Sequence, residues 1–137
     1  MEDFVSYKIA RKLKGKGFRE KTFAYYPSSG ILQWRRAYIY DTPITDVMKC
    51  SNKENTTIDA PTISQVLKWL RDEKKIHIEL FLYDGRYAYL VKSITERHVA
   101  DDLQEFHKCL SNYLDEYFNS YEKAAIAGIG YCLDNLI

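Results

Sequence analysis

Long hydrophobic runs are missing from this chain. The longest weakly polar stretch, residues 124–133, is about half of the roughly 20 residues a membrane-spanning helix needs, so no membrane role is expected. The N-terminus carries Glu2 and Asp3 with no apolar stretch behind them, so it shows no signal-peptide pattern. Cysteine is scarce. Cys50, Cys109 and Cys132 form an odd, widely spaced set without a CxxC pair, which argues against a disulfide framework and a zinc cluster and fits a reducing compartment, the cytoplasm. Histidine is equally scarce: His98 and His107 lack metal-ligand spacing, and no metal or cofactor is expected. The chain has no GxGxxG, GxxxxGK[ST], HExxH or GxSxG, so nothing signals a nucleotide fold, a metalloprotease or a hydrolase.

What is present describes a folded protein. Hydrophobic residues make up 46% and charged residues 28% of 137, a globular composition for which one domain spanning 1–137 is expected. A chain of this length buries roughly two-thirds of its unfolded surface. Tyrosine is over-represented, with 12 copies. The net charge of +1 conceals an asymmetry: residues 1–36 hold nine Lys/Arg against three Asp/Glu, and residues 101–137 hold two against seven.

Val5, Ile9 and Leu13 recur at helical spacing behind Ser6, a capping residue, and ahead of Gly15 and Gly17, which predicts a helix over about 6–15 with basic outer faces. Residues 23–26 and 31–40, rich in aromatic and β-branched side chains, flank Pro27-Ser28-Ser29-Gly30 and read as a hairpin. Residues 41–60 read as a polar loop, long enough to hide a short element. Thr62 and Gln65 form a capping box, and Ile63, Val66, Leu67 and Leu70 with Trp69 make the apolar stripe of a second helix.

The clearest pattern follows. Ile76, Ile78, Leu80 and Leu82 alternate with His77, Glu79, Phe81 and Tyr83 up to Asp84-Gly85, a type I′ turn pair. That turn pairs Tyr83 with Arg86, Leu80 with Tyr89, Ile78 with Val91 and Ile76 with Ser93, making one face apolar and the other mixed and wetter. Leu103, Phe106, Leu110, Tyr113, Leu114 and Tyr117 predict a further helix after Asp101-Asp102. Ser120 caps a last one, in which Ala124 and Gly128, four apart, leave room for a close neighbour. The reading is an α+β fold: an antiparallel sheet of about four strands from two αββ units, helices packed on it, and a C-terminal helical pair.

The run Ala60-Pro61-Thr62-Ile63-Ser64-Gln65-Val66-Leu67-Lys68-Trp69-Leu70-Arg71, leading into Lys75-Ile76-His77-Ile78-Glu79, resembles uncharacterised small proteins of Bacteroides-type gut bacteria and their phages and mobile elements. The KGKGF-type end of the first helix and the ending Tyr121-Glu122-Lys123-Ala124-Ala125-Ile126-Ala127-Gly128 are similar to theirs. The resemblance is specific only over residues 60–79. It implies a prophage or mobile-element context and an accessory or regulatory role, and it transfers no functional residue.

The sequence bears on three classes of function. For catalysis, His107 and Cys109 are two apart on a predicted helix and diverge, so the cysteines read as buried structural thiols. His77 beside Glu79 on one strand face reads as a surface hydrogen bond or charge pair. A non-enzymatic protein is therefore expected. The tyrosines and the opposed charges of the two ends fit a protein-interaction or self-associating module, the first reading. The alternative is nucleic-acid binding. Its candidate residues are Lys8, Arg11, Lys12, Lys14 and Arg19 for phosphates and Trp34, Arg36 and Tyr38 for stacking, the last three on a strand face shared with Leu32 and Tyr40. A basic helix face that is merely solvated and an aromatic strand face that is merely core would look the same in sequence.

Overall fold

A computed structural model describes residues 3–35, 37–39, 42–44, 50, 52, 57–94 and 117–137. They fall into two compact units, Met1–Ile63 and Ser64–Ile137. The charge asymmetry follows this division: residues 1–63 contain eleven Lys/Arg and seven Asp/Glu, and residues 64–137 contain nine and twelve.

In the first unit, helix α1 (Tyr7–Gly15) begins where Ser6 stops being extended, and the Ser6 hydroxyl accepts the Ile9 N–H at 3.3 Å. Ile9, Ala10 and Leu13 form its buried side. The helix ends because Gly17 adopts φ +90°, which a side chain would resist, and Phe18 N–H then turns back to the Leu13 carbonyl. Strand β1 (Ala24–Tyr26) and strand β2 (Gln33–Trp34) are joined through a turn closed by Gly30 N–H on the Pro27 carbonyl, with Gly30 at φ +75°. The hairpin is as expected there. The continuous strand over 31–40 is not: it divides at Arg35, and β3 (Ala37–Ile39) pairs instead with β4 (Thr42–Ile44).

Strand β5 (Ile58–Ala60), from a segment read as loop, takes the second edge of β1, giving a sheet ordered β2-β1-β5. Pairing sets the two faces. Ala24, Tyr26, Trp34 and Ala60 lie on the side of α1, while Tyr25, Gln33 and Asp59 lie on the other.

The second unit opens with helix α2 (Ile63–Glu73), which starts where the Thr62-Gln65 pattern places it and buries Val66, Trp69 and Leu70. Strands β6 (Ile76–Tyr83) and β7 (Arg86–Ser93) form the hairpin in the expected register from Tyr83↔Arg86 to Ile76↔Ser93. Asp84 at φ 50° and Gly85 at φ 73° supply the turn. One expectation needs correcting. Ala88 and Leu90 on the mixed face are buried, so that face is open chiefly at Arg86 near the turn, while the half-buried Glu79 and Lys92 side chains pair at 2.8 Å.

Helix α3 (Tyr121–Asn135) is capped by the Ser120 hydroxyl, which accepts Lys123 N–H at 3.1 Å. It packs on the Ile78 and Tyr89 face through Gly128, as the small-residue spacing predicts. The α+β class stands, with the strands divided among three antiparallel sheets rather than gathered into one of four. The helix predicted after Asp101-Asp102, and with it half of the expected C-terminal pair, lies outside the described residues, as do Cys109, His98 and His107. No described helix is long and apolar enough to cross a membrane.

Candidate functional site

Along α1 the buried positions leave Lys8, Arg11 and Lys12 together on the opposite face, because residues three and four apart share one side of a helix. Lys8 and Arg11 are exposed and Lys12 is half-buried. No Asp or Glu occurs from residue 4 to residue 19, so this stripe has no carboxylate in its own sequence neighbourhood.

Aromatic ring contacts lead from there into the core. The Arg11 guanidinium lies 5.8 Å from the Tyr7 ring centroid, and Tyr7 meets Tyr26 edge-on at 5.5 Å. Tyr26 donates its hydroxyl to the Val5 carbonyl at 2.7 Å, and burial pushes that phenol above its ordinary pKa. Next to Val5, Phe4 meets Trp34 edge-on at 4.9 Å. Trp34 stays 42% exposed, and Ile31 at the turn is 64% exposed. The first unit thus carries cations on α1 and, on β2, a partly open indole.

Two of the predicted phosphate contacts carry structural bonds. Lys14 donates its ammonium to the Thr57 carbonyl at 2.8 Å, and Arg19 donates to the Phe18 and Lys14 carbonyls at 2.8 and 3.3 Å, closing the C-terminal end of α1. Arg36 lies outside the described residues, and Tyr38 is described only by its backbone, opposite Pro43 in the β3–β4 ladder. The structure therefore brings Lys8, Arg11, Lys12 and Trp34 onto one unit's surface.

On the far side of the same sheet lies a group that sequence reasoning missed. Arg35, 8% exposed, forms an ion pair with the fully buried Asp59, donates Nε to the Thr22 carbonyl at 2.9 Å and sits 5.1 Å from the Tyr25 ring centroid. The other Asp59 oxygen accepts Asn52 N–H at 3.0 Å. Asn52 in turn accepts Asp59 N–H at 2.8 Å and donates to the Phe18 carbonyl at 2.9 Å. All of these buried polar groups are partnered; among the described residues the one buried side-chain polar atom without a partner is Thr57 Oγ1. Arg35 directly follows β2, so the clamp ties down the end of the strand that carries Trp34. The available signal was a pair of arginines in an aromatic stretch; the partner of Arg35, 24 residues away, was invisible to local patterns.

Burial pushes the Cys132 thiol up to about 12. At about pH 8 only roughly one molecule in ten thousand would then carry the reactive thiolate. We expect iodoacetamide to leave Cys132 unmodified in the folded chain and to alkylate it after denaturation, read by peptide mass; rapid native labelling would contradict the burial. Glu79 is held below the ordinary carboxylate range chiefly by the Lys92 hydrogen bond, with His77 contributing least, which makes it a surface charge pair. Among the described residues no group of three or more His, Cys, Asp or Glu could hold a metal ion.

No family model, curated protein or solved structure matches this chain.

Proposed function

We propose that the protein is a non-enzymatic binding module whose working surface is the α1 and β2 face of the first unit, and that this surface takes an anionic macromolecule. The observation that carries this reading is that one unit bears both the basic Lys8, Arg11 and Lys12 face of α1 and, on β2, an indole left 42% exposed. Exposed tryptophan and arginine are the side chains that most often dominate binding surfaces. The buried Arg35 to Asp59 clamp supports the same reading, because it fixes the strand that presents Trp34. The resemblance over residues 60–79 favours an accessory role in a prophage or mobile element, and the sparse, unpaired cysteines favour the cytoplasm.

Retention on an immobilised sulfated polymer tests the surface. The variant Lys8→Glu/Arg11→Glu/Lys12→Glu should elute at much lower salt than wild type. A control with the same change in net charge, Arg71→Glu/Arg86→Glu/Lys123→Glu, should elute markedly later than that variant. Equal losses in the two variants would mean that only net charge matters and that the α1 face is not special.

A further inference from the structure

We infer that the anionic partner is single-stranded nucleic acid, with phosphates on Lys8, Arg11 and Lys12 and a base stacked on Trp34; this rests on the binding surface proposed above. Three observations support it. First, two of the three cations are lysines, a residue depleted from protein–protein interfaces but ordinary at phosphates. Second, the charges form a stripe along one helix face, so a linear polyanion meets them in succession. Third, Trp34 on the same unit keeps 42% of its surface exposed, and Arg11 itself lies against the Tyr7 ring. Aromatic rings hold bases of any sequence, because every base offers a flat face, and a duplex hides those faces. The site therefore suits unpaired strands of mixed sequence.

The test is fluorescence anisotropy with three labelled probes: an oligothymidylate of about 15 nucleotides, a duplex of the same length and a polyglutamate peptide. Each is titrated at about 50 and 200 mM salt. Three phosphate contacts to a single strand predict an affinity loss of about 20-fold between those salts. Lys8→Gln/Arg11→Gln should weaken binding and flatten that dependence. Trp34→Ala should cost a further 5- to 150-fold with the salt slope unchanged, and Trp34→Tyr should restore most of the loss. Both sets alter exposed groups, and circular dichroism confirms that they remain folded. Polyglutamate binding as tight as the strand, or duplex binding tighter than the strand, overturns the inference and leaves an anion-binding face. Failure of all three probes at the lower salt overturns the face as well.

Discussion

Replacing Arg35 by alanine should cost about 3–5 kcal/mol, because it strands the Asp59 carboxylate in the interior without its counter-charge. That is a large share of the roughly 5–15 kcal/mol that holds a typical domain together. The loss has several parts: the ion pair, the bond from Nε to the Thr22 carbonyl, and the guanidinium packed on Tyr25. Arg35→Lys keeps the charge and gives up the fork that reaches Thr22 and Asp59 together, so it should recover only part of the stability. Urea denaturation followed by circular dichroism measures both variants. A midpoint for Arg35→Ala within about 1 kcal/mol of wild type would mean that the pair is not buried as described. Trp34 emission should shift toward that of free indole in the same variant, because the strand that holds it is released.

Gly128→Leu should be the other severe substitution. A Cβ at Gly128 would already stand 3.0 Å from Ile78 Cγ2 and 3.2 Å from the Tyr89 ring, so the branched remainder of leucine has no space between α3 and the hairpin. Overpacking of this kind costs about 1–3 kcal/mol, and leucine falls at the upper end. Gly128→Ala separates sterics from chain entropy. Alanine gains about 1 kcal/mol of helix propensity over glycine, and the tight contact offsets it, so this variant should stay within about 1 kcal/mol of wild type. Thermal melting reads both. A fully stable Gly128→Leu would mean that α3 does not lie against Ile78 and Tyr89.

The elements that sequence made legible share one property: two independent signals agreed on them. In β6 and β7 the Asp84-Gly85 turn and the apolar alternation choose the same register, and both turn residues take positive φ. In α1 and α3 a serine cap coincides with the start of a helical stripe. Where long-range pairing decides, local pattern fails. Residues 31–40 look like one strand, but Ala37–Ile39 pairs with Thr42–Ile44 while Gln33–Trp34 pairs with β1. The three-residue strand β5 carries no alternation of its own and exists because β1 has an open edge. Of the candidate site, the basic stripe and Trp34 were visible as charge and aromaticity. The bonds that engage Lys14 and Arg19, and the Arg35 to Asp59 clamp, depend on groups brought together by folding.

The claim that the α1 and β2 face is the working surface is tested most directly by amide chemical-shift mapping on isotope-labelled protein titrated with oligothymidylate at low salt. The account predicts shifts in the Lys8 to Lys12 turns of α1, at Phe4, and at the Trp34 backbone and indole, with β6, β7 and α3 unchanged. Shifts centred on those second-unit elements, or none at all at saturating strand, would contradict it.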